Sequence, residues 1–223
     1  MKYGIIFDLD GTLVDSLPSI ARSLNRALAQ HSLSTHTTSA VRGFIGAGAR
    51  MLVHRASPAD SSAELRGKIE AAFQADYEIS WPAGTSPYPG IVELLERLQA
   101  EKFPLAVLSN KPHPFTTVIV AKLFPQIHFK AVIGQLPGIP HKPAPNAALE
   151  IAGIFNLTPQ QCLLIGDSTI DLETAKNAAM PAISVAWGYH DAGCLRSAGA
   201  VELVAHSSEL LDRLLAMSIA HGM

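Results

Sequence analysis

The chain has 223 residues, 48% of them hydrophobic and 16% charged, with a formal net charge of −2 at pH 7. That balance describes a well-buried globular chain and excludes a disordered one. Basic residues are scattered and the net charge is near zero, which argues against a nucleic-acid groove or an anionic membrane surface as partner.

Tyr3–Phe7 is a continuous apolar run and predicts a buried strand, which ends in Asp8-Leu9-Asp10-Gly11-Thr12. The interval 16–87 then reads as helix after helix, with no convincing strand. Its helices are expected at Pro18–Gln30, about Ser39–Ile45, Ala49–Ala56 and Ser61–Ile79, with Ser16 before Pro18 as the first helix start. The Pro/Gly-rich segment Trp81–Gly90 is expected to be a hinge returning the chain to the core. A helix follows at Ile91–Leu98, with apolar residues at 91, 94, 95 and 98.

Further strands are expected at Leu105–Leu108, Ala131–Ile133, Cys162–Ile165 and Ala182–Val185, with a weaker one at Ala200–Val204. Helices are expected at Ser168–Ala179 and Ser207–Met217. Continuous apolar strands alternating with amphipathic helices predict an α/β fold, a doubly wound parallel sheet covered on both faces. The expected domains are a core of residues 1–15 and 88–223 and an inserted small α-helical cap of residues 16–87.

Four polar pieces fall at strand ends: Asp8 to Thr12, Ser109-Asn110-Lys111, Lys142-Pro143 in the loop after the third strand, and Gly166-Asp167 through Asp171. Ligands gather at the carboxyl ends of strands in such sheets. Taken singly, most of these pieces read as ordinary turns, solvated lysines or an acid-stabilised helix start. Their joint, ordered occurrence at one sheet edge is what points to a site.

In that order and spacing the motifs resemble the haloacid dehalogenase superfamily of phosphohydrolases. The resemblance spans essentially the whole chain, because the helical insertion is similar to that family's small cap. Asp15-Ser16, Ile45-Gly46-Ala47-Gly48, Tyr88-Pro89-Gly90 and Trp187-Gly188-Tyr189 resemble its phosphoglycolate phosphatase-like branch. The resemblance implies a phosphatase acting on a small phosphorylated metabolite, 2-phosphoglycolate being the first candidate. Asp8 is implied as nucleophile, forming an aspartyl-phosphate, and Asp10 as acid and then base. Positions 8 and 10 of a strand share a face, which suits that division of labour.

Mg²⁺ is the implied cofactor, held by Asp8, Asp167 and the backbone carbonyl of Asp10. Lys142 is implied to balance charge, Asp171 to orient its neighbours, and Gly11, Thr12, Ser109 and Asn110 to meet the phosphoryl oxygens. In the cap, Arg42, Gly46, Gly48 and Arg50 are the candidates for specificity, with His54 and Arg55 also in reach of that role. For each arginine a solvated helix face is the competing explanation. Trp81, Trp187 and Tyr88 are expected to be packing residues.

The alternatives are a sugar phosphomutase of the β-phosphoglucomutase type, or a phosphatase for a sugar phosphate, nucleotide or pyrophosphate. The mutase relatives carry a histidine near the first cap helix and an arginine in the cap loop, where this chain has Ile20 and Gly46. Dehalogenases lack the second aspartate supplied here by Asp10. A phosphonate hydrolase needs a cap lysine, and the sole lysine of the interval 16–87, Lys68, has no motif around it. A binding protein without activity is expected to have lost Asp8, Asp10 or Asp167, and all are kept. Departures from the family pattern are Gly134-Gln135 before a proline-rich loop, and alanine in Ala178-Ala179-Met180-Pro181.

Cys162 and Cys194 are too few and too far apart for a disulfide framework or zinc site. Nine histidines show no short metal-ligand spacing. No apolar run approaches the roughly 18 to 20 residues of a membrane span. Met1-Lys2 leads straight into the first strand, so no leader is expected and the expected setting is cytoplasmic. A monomer or a homodimer is expected, with no nucleic-acid or membrane partner.

Overall fold

The computed structural model describes residues 3–220, without the side chains of 218–220. Met1, Lys2 and residues 221–223, the outermost parts of the expected core, lie outside the described residues.

The main sheet is built from short strands whose burial is continuous, as the apolar runs require. β1 (Gly4–Phe7) is buried at every position. A two-residue β2 (Val14–Asp15) leads into α1 (Leu17–Gln30), α2 (Thr38–Arg42), α3 (Gly48–Ala56) and α4 (Ala63–Ser80). β3 (Ser86–Pro87) then pairs antiparallel with β2, Val14 opposite Pro87 and Asp15 opposite Ser86. This pairing was not legible as a strand. Two residues carry no periodicity, and Pro87 lacks the N–H of an ordinary ladder residue.

The second half alternates as expected. It runs α5 (Ile91–Ala100), β4 (Leu105–Pro112), α6 (His113–Leu123), β5 (Ala131–Gln135), α7 (Asn146–Phe155) and β6 (Cys162–Gly166). It ends with α8 (Thr169–Asn177), β7 (Ala182–Val185), α9 (Ala192–Ser197), β8 (Leu203–Val204) and α10 (Ser207–Ala220). The six-stranded sheet has the order β5-β4-β1-β6-β7-β8, and every neighbouring pair in it is parallel. Chain order reverses about β1: β4 and β5 lie on one side, β6 to β8 on the other. That reversal opens a crevice beyond the carboxyl ends of β4, β1 and β6.

Two local differences from expectation matter for the site. β4 does not stop at Leu108 but continues through Ser109, Asn110 and Lys111 to Pro112, with a register shift against β5 between Leu108 and Pro112. Ser16 precedes α1 but does not cap it through its side chain. Its hydroxyl instead donates to Asp10 Oδ1 at 2.5 Å.

One apolar cluster runs from β1 through α1, α3 and α4 to α5 and α10, and a second fills the other face beneath α7 and α8. Leu94 on α5 is fully buried in the first cluster. Leu94→Ala leaves a cavity there and is expected to cost about 2–5 kcal/mol, read as a lowered urea midpoint with an unchanged slope.

Candidate active site

The three central strands end in the polar pieces, and the backbone delivers them to one place. Asp8 follows β1, its amide bonded to the carbonyl of Ile165 at 2.8 Å. Asp167 follows β6, and Ser109, Asn110 and Lys111 form the end of β4. Lys142 arrives on the long loop after β5, and Asn110 fixes that loop. Lys142 N donates to Asn110 Oδ1 at 2.8 Å, and Asn110 Nδ2 donates to the carbonyls of Lys142 and Gly46, both at 3.0 Å. The Asn110 amide is therefore committed to backbone groups on both sides of the crevice.

Lys142 Nζ sits between two carboxylates, 2.9 Å from Asp8 Oδ1 and 2.6 Å from Asp171 Oδ1. Asp171 also closes a capping box on α8, its Oδ2 accepting from Ser168 N at 3.1 Å and Ser168 Oγ at 2.6 Å. The acid-stabilised helix start and the site residue are thus the same side chain. Asp167 is held by Thr12 Oγ1 at 2.9 Å and by Tyr189 N at 2.7 Å. Backbone passes close on either side of it. A Cβ added at Gly11, whose φ is +90°, would lie 2.3 Å from Asp167 Oδ2, and one at Gly188 would lie 2.2 Å from Asp167 Cβ.

Asp8, Asp167 and Asp171 offer carboxylate oxygens that all lie within 4.8 Å of one another. Three buried carboxylates here face one ammonium, Lys142, since Asp10 has its own cation in Lys111. Burial raises Asp8 above the ordinary carboxylate range, Lys142 pulls it back and Asp171 adds to the rise, leaving it pushed up to about 7. Asp167 is raised well above that range by burial, then by Asp8 and Asp171. Burial works against the charge of Lys142, but Asp171 and Asp8 outweigh it and hold the ammonium well above the ordinary lysine range. A clustered oxygen-donor set with an excess of negative charge fits a hard divalent cation.

Asp8, Asp10, Ser109, Asn110, Lys111 and Lys142 line one cavity of about 60 Å³. Gly46, Gly48 and Ile20 line it from the insertion. Arg50 is exposed on α3 and is not among the lining residues. Arg42 reaches the core, where its Nε donates to Tyr189 O at 2.7 Å and its Nη2 to Gly188 O. His54 and Arg55 are exposed, and Arg55 Nη1 donates to Phe44 O at 3.0 Å. Trp81 is buried, and Trp187 Nε1 donates to Thr12 O at 3.0 Å.

Two residues given no role from the sequence stand in the cavity. Lys111 was visible only as the third residue of a polar strand end. Here its Nζ donates to both oxygens of Asp10, at 3.0 and 2.9 Å. Tyr77 on α4 lines the opposite wall. An aromatic four residues after Phe73 on a helix reads as packing, so the sequence held no signal for it.

A family model described as haloacid dehalogenase-like hydrolase matches residues 5–185. The chain belongs to the haloacid dehalogenase-like hydrolases. Among these hydrolases it is 32% identical over 190 residues to a phosphoglycolate phosphatase of Mesorhizobium japonicum, covering 84% of each chain. It is 32% identical over 210 residues to the phosphoglycolate phosphatase of Escherichia coli K12, covering 84% of this chain and 82% of that one. A solved structure from Haemophilus somnus 129PT, described as a predicted phosphoglycolate phosphatase, superposes with a TM-score of 0.87 at 30% identity. That match covers 95% of this chain and 97% of the other. Another, from Lactobacillus delbrueckii subsp. bulgaricus, reaches a TM-score of 0.90 at 30% identity, covering 96% and 99%. Among the described residues no helix is long and apolar enough to cross a membrane.

The acid cluster generates a linked prediction. A carboxyl raised from 3.8 to about 7 in the folded state takes up protons on folding. The cation-free protein therefore loses stability as pH climbs through that window, and above it the full penalty stands. A divalent cation such as Mg²⁺, in excess of its dissociation constant, is expected to raise the thermal midpoint by about 2 °C or more at pH 8. Near pH 5, where a proton occupies the Asp8 carboxyl, the shift is expected to shrink. Thermal melts with Mg²⁺ and with EDTA at the two pH values check this; an equal shift at both contradicts it.

Proposed function

We propose that this hydrolase is a Mg²⁺-dependent phosphatase for a small phosphorylated metabolite, with 2-phosphoglycolate as first candidate. The observation that carries the reading is the convergence of Asp8, Asp10, Ser109 and Lys142 on one cavity beside the cation-deficient Asp8, Asp167, Asp171 cluster. Similarity to phosphoglycolate phosphatases at about a third identity supports the substrate candidate.

In this reading an Asp8 oxygen attacks phosphorus and the ester P–O bond breaks as Asp10 protonates the departing alkoxide. Asp10, now ionised, removes a proton from water, which attacks phosphorus of the aspartyl-phosphate and returns Asp8 with release of inorganic phosphate. Ser16 and Lys111 fix the Asp10 carboxyl by hydrogen bonds. Lys142 balances charge on Asp8 and on phosphoryl oxygens, and Ser109 Oγ supplies a hydroxyl at the same wall. Mg²⁺ held by Asp8, Asp167 and the Asp10 carbonyl would neutralise the repulsion between carboxylate and phosphate.

Residues 16–87 act in this reading as a cap on the core of residues 15 and below and 88 onward. Arg42, Gly46 and Tyr77 join the two across the crevice, through the core carbonyls, Asn110 and a T-shaped contact with Phe115 at 5.4 Å between ring centroids. Closure excludes bulk water from the aspartyl-phosphate until the alcohol has left. Ile20 and Gly46 in the cavity wall present no side-chain donor to a second phosphate, which weighs against the mutase.

With p-nitrophenyl phosphate, turnover is expected with Mg²⁺ and not with EDTA. Asp8→Asn is expected to lower kcat by roughly a thousandfold or more with an unchanged circular dichroism spectrum. Metal-independent turnover, or an active Asp8→Asn, would sink the reading. Across a panel of phosphorylated metabolites, a kcat/KM preference for 2-phosphoglycolate below about tenfold (1.4 kcal/mol) would remove it as the substrate.

A further inference from the structure

The cavity contains a second buried cation besides Lys142. Lys111 spends two hydrogen bonds on Asp10, and its Nζ lies 4.6 Å from the centroid of the Tyr77 ring. An ammonium has three donors, so one N–H is left for the Tyr77 side of the cavity. The Tyr77 hydroxyl, on a residue only 1% exposed, lies beside Lys111 and helps hold its charge, while its own O–H has no acceptor among the described residues. A buried phenol normally finds a partner, because leaving it unpaired is costly.

Both groups line the same cavity, and the other walls given by the insertion are apolar: Ile20, Ile45, Ala49, Leu52 and Phe73. Lys142 is drawn toward Asp8 and Asp171. The Arg42 and Arg55 guanidiniums are taken up by backbone carbonyls. Two spare donors therefore face the cap side of a cavity whose other side is built for a phosphoryl group.

We propose that Lys111 and Tyr77 form a second anion subsite, which binds a carboxylate on the leaving group of the phosphate ester. The proposal rests on the phosphatase reading and names the substrate class within it. A carboxylate accepts on both oxygens: one takes the remaining N–H of Lys111, the other the O–H of Tyr77. The apolar side chains on the cap side strengthen both bonds by lowering the local dielectric. Binding there would also share Lys111 between the substrate and Asp10, tying recognition of the leaving group to the residue that protonates it.

The test compares kcat/KM for 2-phosphoglycolate and for 2-hydroxyethyl phosphate, which carries an alcohol in place of the carboxylate, on the full chain with Mg²⁺. The wild type is expected to prefer the carboxylate by about tenfold or more, as charge-assisted hydrogen bonds allow. Tyr77→Phe is expected to reduce that ratio several-fold, chiefly through KM for 2-phosphoglycolate. Lys111→Gln should bring the ratio close to one, and Lys111→Arg should recover part of it. The ratio is the readout because Lys111 also holds Asp10, so its variants change rates on both esters. A wild-type ratio near one overturns the subsite. So does a ratio that stays constant in Tyr77→Phe and Lys111→Gln while both rates fall together. Phosphate release from neither ester overturns the phosphatase reading itself; release from both with a constant ratio overturns the subsite alone.

Discussion

Three carboxylates buried against one ammonium at the end of a parallel sheet are the constraint around which this chain is arranged. Asp8, Asp167 and Asp171 come from the ends of two adjacent strands and the first turn of a helix, and among the described residues Lys142 is the cation paired with them. Such a cluster is unfavourable unless something supplies positive charge and the oxygens stay close. The surrounding hydrogen bonds from Thr12, Ser168 and the Tyr189 amide hold the oxygens in place. The fold thus holds an excess of negative charge that a divalent cation is suited to resolve.

The fold was legible wherever burial is continuous. β1, β6 and β7 fall where their apolar runs lie, because strands covered on both faces need no alternation. The cap helices were legible within a residue or two, except α2, which ends at Arg42 before Gly43 rather than at Ile45. α6, α7 and α9 are not among the helices the sequence predicts. Thr116 to Val120 is a β-branched run that favours a strand by propensity, and packing between β4 and β5 decides for a helix. In the weak segment Ala200–Val204 only Leu203–Val204 pairs.

The site divides in the same way. Its acids were legible because a polar residue terminating a buried strand has no packing use. Lys142 and Thr12 were legible with them, but the partners of Asp10 and the opposite wall were not. Lys111 meets Asp10 across 101 positions of sequence, and Tyr77 is brought opposite by the fold of the insertion. Asn110 shows the limit from the other direction: its position at the crevice was readable, but not that its amide fastens the Lys142 loop and Gly46 together.

The two glycines flanking Asp167 have a consequence for how such a site is inherited. Exchanging the acid for its amide leaves the backbone where it is, but any side chain at Gly11 or Gly188 must push the backbone or the carboxylate aside. The geometry around Asp167 is written partly in absent atoms. A lineage that keeps the acid must keep those empty spaces with it, and mutational drift at the charged position is therefore bounded by two neighbours that carry no charge.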